Sequence, residues 1–247
     1  MLLKRGQLTI FIIVAILIIA FVVLFFTLRG NLNLPGKPVS PETTKIKNFV
    51  QTCLDDSLEE VVFMVGENGG YRFPENVFEF EGKEHAYYLV NGNNYMPSKI
   101  QVEKEISDDL NAKIFICTNY FSDFPDYEIT QGNAESSAKI LENKIILEMR
   151  YPLTIKKGES VSILEDFKTE IPVRLELVYD SVSEFIMEQE KNKQQGFCLS
   201  CLPEKLEENK LFVSVSDSIN NTKVFIFRDD LSKLNNKTFE WVFANKY

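Results

Sequence analysis

The sequence predicts an α+β protein carried on one N-terminal transmembrane helix, and three observations carry that expectation. An unbroken apolar run stands near the start of the 247-residue chain. Behind it, helical periodicity comes first and short alternating strands come later, the order expected of helices covering one face of an antiparallel sheet. Four cysteines are spread through that later part.

From Leu8 to Leu28 there are 21 residues without a charge, and only Thr9 and Thr27 are polar. At about 1.5 Å per helical residue the run spans roughly 30 Å, the thickness of a bilayer's hydrocarbon core. A cleaved secretory signal has a shorter apolar region, about 7–15 residues, followed by a small-residue cleavage site. Here the run closes on Phe25, Phe26, Thr27, Leu28 and Arg29. The expected division is a cytoplasmic leader over 1–6, a transmembrane helix over 7–29, a linker over 30–42 and an extracytoplasmic α+β domain over 43–247. Basic residues do not vote on orientation, because Lys4 and Arg5 precede the run while Arg29, Lys37, Lys45 and Lys47 follow it. The cysteines and the short tail put the large part outside the cell, where thiols oxidise.

The linker GNLNLPGKPVSPE, with its prolines and glycines, is a spacer. Ile46, Val50, Cys53, Leu54, Leu58, Val61, Val62 and Val65 then recur at steps of mostly three and four, which predicts an amphipathic helix over 43–66 closed by Gly69-Gly70. HAYYLVNGNNYMP reads as a strand turning at Asn91-Gly92. Ser98 caps a second helix with Ile106, Leu110, Ile114, Cys117 and Phe121 on one face. YEITQG, SSAKILE, KIILEMRYPLTI and ESVSILEDF predict an antiparallel meander. A third helix over about 172–192 takes Pro172 in its first turn. LFVSVSD, KVFIFRD and FEWVF end the chain as strands.

Lys4, Arg5 and Arg29 are the only charges before residue 31, so the rest holds 24 of the 27 basic and all 36 acidic side chains, a net charge near −12. That balance excludes nucleic acid as a partner. Four cysteines allow three complete pairings. Cys53 and Cys117 both fall on apolar helix faces, which favours Cys53–Cys117 with Cys198–Cys201 closing a local ring. Redox chemistry at the CxxC, a zinc site using all four sulfurs, and buried free thiols remain as alternatives.

No residue reads as catalytic. The single histidine, His85, is expected at a surface or sheet edge, and the pairs Asp55-Asp56, Glu59-Glu60 and Asp108-Asp109 on solvated helix faces. The expectation is therefore no enzyme, no metal and no cofactor. Asn220 and Asn236 head sequons for N-glycosylation. The aromatic residues Phe73, Phe78, Phe80, Tyr87 and Tyr88, between Tyr71 and Tyr95, are a candidate pocket lining or else ordinary sheet packing.

Lys4-Arg5-Gly6-Gln7 directly before the apolar run resembles the class III signal of archaeal type IV pilins. The resemblance implies that a membrane peptidase cuts between Gly6 and Gln7, leaving the helix as an anchor or as a filament stem. Uniform apolar helices exchange lipid for one another because both hide the same surface. Phe11 stands at the fifth mature position, where bacterial type IV pilins carry Glu. The segments NFVQTCLDDSLEEVVFMVGENGGY, YPLTIKKGESVSILEDFKTEIPVRL, FCLSC and FEWVFANKY resemble a group of uncharacterised single-pass archaeal membrane proteins. Together these lead to an expectation of a membrane-anchored, cell-surface protein with a structural or interaction role. Its partners would be membrane lipid, other copies or pilin-like subunits, and an unidentified surface or envelope protein. The alternative is a tethered extracytoplasmic ligand-binding or enzymatic domain.

Overall fold

The computed structural model describes residues 41–192, 197–217 and 221–247, together with Ile18. Met1–Thr44 and Lys45–Tyr247 are separate units, and the fold below is that of the second. No helix among the described residues is long and apolar enough to cross a membrane. The apolar run Leu8–Leu28 lies, apart from Ile18, outside the described residues, as does the pair Gly6-Gln7.

The architecture is α+β. Helix α1 (Pro41–Glu67) is followed by strands β1 (Val77–Phe80), β2 (Lys83–Val90) and β3 (Asn93–Asn94), then by helix α2 (Lys99–Cys117). Strands β4 (Glu128–Gln131), β5 (Glu135–Leu141), β6 (Lys144–Lys157) and β7 (Ser160–Ile171) form the meander. Helix α3 (Leu175–Lys191) leads to β8 (Leu211–Asp217), β9 (Thr222–Leu234) and β10 (Lys237–Lys246).

Two sheets result where one antiparallel sheet was expected. The first has the order β1-β2-β10-β9-β8, with β3 on β2. Within it β2 and β10 run parallel, so this sheet is mixed. These strands lie at opposite ends of the domain, and no hairpin dictates their direction, as it does for sequence neighbours. The second sheet is wholly antiparallel, with β6 flanked by β7 on one side and by β4 and β5 on the other. A register shift between Arg150 and Leu153 in the β6–β7 ladder bends it around Pro152.

Helix α2 covers the free edge of β5. The Ala138 N–H donates to Ser107 Oγ at 2.9 Å and the Ile140 N–H to Glu103 Oε1 at 3.0 Å. Two helical side chains thus replace a missing strand and block edge-to-edge pairing. On the first sheet an aromatic stack fills the inner face, with Tyr88 and Phe243 4.4 Å apart, Phe225 and Phe243 5.2 Å apart, and Phe185 4.9 Å from Phe225. Each such ring contributes about 1.5–3 kcal/mol through burial. On the other face Phe78, Phe80, Tyr87 and Ile226 pack on Val224, Val242 and Ala244 as a satellite cluster.

The glycines that end α1 set its distance from β10. A side chain at Gly66 would meet Glu240 O at 2.6 Å, and one at Gly70 would meet Pro97 and Trp241 at 2.8 Å. Gly69 and Gly70 also hold φ of 62° and 84°, where any other residue is strained. Their backbone passes beneath fully buried Tyr88, whose hydroxyl donates to Gly69 O at 2.7 Å and accepts from Trp241 Nε1 at 2.9 Å.

Helix α3 starts three residues after the expected Pro172, because Arg174 is taken up by β9. Its backbone N–H donates to Ser232 Oγ at 2.9 Å, its Nε to Asp229 Oδ2 at 3.0 Å, and its Nη2 to Asn209 O at 2.9 Å and to Asp229 Oδ1. Asp229 is fully buried. It also accepts from Leu231 N–H and Ser232 Oγ, folding residues 230–232 into a bulge where β9 shifts register against β10. Phe121, expected on α2, lies beyond it in a turn where Asn119, Tyr120 and Phe121 all have positive φ. That turn swings Phe121 into the core and leaves Tyr120 exposed.

Candidate ligand-binding pocket

The loop after α1 runs across the first turns of α2, and the gap between them is a cavity of about 250 Å³. Tyr71, Phe73, Pro74, Glu75 and Asn76 supply the loop wall, Tyr87 of β2 and Tyr95 beyond β3 the opposite wall, and Gln101 and Glu105 the helical floor. Drug-sized ligands occupy pockets of about 300–1,000 Å³, so this one has room only for a small molecule or the tip of a larger one.

Short tethers hold the loop in place. Tyr71 Oη donates to Tyr95 O at 2.6 Å, the Arg72 N–H to Glu105 Oε2 at 3.1 Å, and the Tyr87 N–H to Asn76 O at 2.9 Å. The Arg72 guanidinium stacks on the Phe73 ring, 4.8 Å from its centroid, and its Nε lies 2.7 Å from Asp109 Oδ1. Asp109 was expected on a solvated face; it is buried because it anchors Arg72. Asp55, Asp56, Glu60 and Asp108 are exposed as expected. Burial, with the charges of Glu105 and Glu75 adding to it, raises the Tyr71 phenol above its usual range. Those two carboxylates are the only charges in the lining, which holds no Lys or Arg.

Of the aromatic residues singled out in the sequence, Tyr71, Phe73, Tyr87 and Tyr95 line this cavity. Phe78 and Phe80 belong to the satellite cluster, as does the Tyr87 ring, so Tyr87 borders the cavity through its backbone; Tyr88 belongs to the core. The polar members Glu75, Asn76, Gln101 and Glu105 went unnoticed. Ser98 was the available signal: its hydroxyl caps α2 by accepting from the Gln101 N–H at 3.2 Å. A helix starting there turns Gln101 and Glu105, four residues apart, to one side.

The cysteines pair as expected. Cys53–Cys117 joins α1 to α2 with Cα atoms 5.7 Å apart, and Cys198–Cys201 closes the short ring at 5.4 Å. All four sulfurs are used, so no thiol remains for zinc. Cys198 and Cys201 border a cleft lined also by Glu184, Glu188 and Glu204.

His85 is not at the surface. It is 4 % exposed on β2, and its Nδ1 lies 2.7 Å from Glu67 O. A carbonyl only accepts, so Nδ1 carries the proton and caps the end of α1. Asn236 sits exposed in the β9–β10 hairpin turn with φ of 62°; Asn220 lies outside the described residues. Among the described residues no group of three or more His, Cys, Asp or Glu side chains is placed to hold a metal ion. No protein-family model matches this chain, and no curated protein matches it.

Proposed function

We propose that this chain is a membrane-anchored cell-surface protein whose α+β domain acts outside the cytoplasm through structure or interaction rather than catalysis. Its transmembrane helix over 7–29 and pilin-like leader make it a candidate component of a surface filament. The observation that carries this reading is the pairing of all four cysteines, a bonding state that persists in oxidising compartments. The acidic surface supports it by excluding anionic partners. Intact-mass measurement on membrane-purified protein tests the filament version, which requires loss of residues 1–6; an unprocessed N-terminus overturns it. Protease added to intact cells tests location. Cleavage beyond residue 30 is expected, and protection that disappears only on lysis overturns the reading.

A second reading, a tethered extracytoplasmic ligand-binding domain, is favoured by the aromatic pocket between the α1–β1 loop and α2. It needs the same anchor and sidedness, and differs in requiring a saturable small-molecule site.

A further inference from the structure

We propose that the pocket beneath Phe73 binds a small organic cation, an ammonium head with an apolar body. The proposal rests on the ligand-binding reading and adds the chemical class. Three features of the cavity point the same way. Its walls include three aromatic residues whose rings lie outside the satellite cluster, Tyr71, Phe73 and Tyr95, while Tyr87 ties the loop through its backbone N–H. Aromatic faces carry the negative part of the ring quadrupole and attract cations held within about 6 Å. Its charge comes from Glu75 and Glu105 alone, so the field inside is negative. Its volume of about 250 Å³ admits an alkylammonium group and excludes bulky solutes.

Phe73 already performs this chemistry on one side, where it carries the Arg72 guanidinium. That arginine does not repel an incoming cation at full strength, because Asp109 neutralises it at 2.7 Å. Glu105 Oε2 is engaged by the Arg72 N–H, which fixes the carboxylate on the pocket floor and orients it before any ligand arrives. Phe73 is 75 % exposed, so its ring is open to a ligand arriving from solvent. An anion would face two carboxylates with no compensating donor charge, and a neutral sugar would leave the aromatic faces without their electrostatic partner.

The test is calorimetric titration of the full chain, in a maltoside detergent free of choline headgroups, with choline, tetramethylammonium and the uncharged tert-butyl analogue of choline. Saturable binding of the cations is expected, with the neutral analogue weaker by about tenfold. Glu75→Gln and Phe73→Leu, both at exposed positions, should each weaken choline binding by about threefold to tenfold without lowering the melting temperature. Raising the salt from about 50 mM to about 500 mM should also weaken it. Equal affinity for choline and its neutral analogue overturns the proposal, as does choline binding that neither variant alters. If acetate or glucose binds while both cations stay silent, the cation assignment fails and a ligand site survives. Silence of all five probes removes both.

Discussion

Cys53–Cys117 closes 64 residues between two helices, whereas Cys198–Cys201 closes three residues at the edge of an acidic cleft. The ends of the domain they hold are built differently to match. Around the first, apolar burial dominates: Cys53 shares α1 with Val50, Leu54 and Leu58, all essentially buried. At the second, a relay of neutral hydrogen bonds does the fastening. Gln189 Nε2 donates to Cys198 O at 2.6 Å, Gln189 Oε1 accepts from the Cys198 N–H and from Tyr247 Oη, Asn245 Nδ2 donates to Tyr247 Oη, and the Leu89 N–H donates to Asn245 Oδ1. Gln189 and Asn245 are 1 % and 0 % exposed, so each would cost free energy if left unpaired. A covalent bond between distant segments restricts the unfolded chain most; a bond across three residues restricts it little, and side-chain hydrogen bonds position the loop instead.

Breaking the long bond gives the largest expected effect. The chain-entropy relation puts Cys53→Ala/Cys117→Ala at about 4 kcal/mol of lost stability, an upper figure, measured as a lowered denaturant midpoint. Gly70→Ala comes next at about 3 kcal/mol, because it combines a left-handed backbone with overlap against Pro97 and Trp241. The variant tests whether close helix–strand approach at the far end of α1 matters as much as the staple between the helices. Cys198→Ala/Cys201→Ala should cost about 2 kcal/mol at most. A loss equal to that of the Cys53–Cys117 variant would refute the distinction between the two ends. Gln189→Leu should cost about 1–2 kcal/mol, because it strands Tyr247 Oη and the Cys198 backbone, and amide exchange should rise in the cysteine loop before it rises in α1.

Alkaline titration sharpens the comparison without a mutation. Burial pushes the Tyr247 phenol up to about 12, and that of Tyr88 well above its ordinary 10.0. Above about pH 10 the unfolded chain releases these protons while the folded chain keeps them, so stability falls as pH rises and goes on falling through about pH 12 for Tyr247. Near neutral pH neither phenol makes stability pH-dependent, because both stay protonated in the folded and unfolded chain. Ultraviolet absorbance should show Tyr247 ionising ahead of Tyr88, whose ionisation coincides with unfolding; the reverse order would contradict the greater burial of the Trp241 end.

Much of this was legible in the residues. The steps from Ile46 to Val65, the Ser98 cap, the Asn91-Gly92 turn and the paired cysteines are local or pairwise signals, and each reads correctly. Strand β1 was missed because VFEF is short and gains its meaning only against β2. His85 and Asp109 were misplaced for a shared reason. A polar side chain is buried only when a partner distant in sequence satisfies it, here Glu67 O and Arg72, and periodicity carries no record of such partners.

The sequence by itself determined the three helices of the domain, most of the strands and the acidic character, and it favoured the cysteine pairing, because propensity, turn chemistry and helical spacing act over a few residues. Only the tertiary structure decided that β2 lies parallel to β10, that Arg174 and Asp229 meet, and that Glu75 and Glu105 share a cavity with Tyr71, Phe73 and Tyr95. Each of these joins segments many residues apart, and the geometry that joins them comes from packing the whole domain.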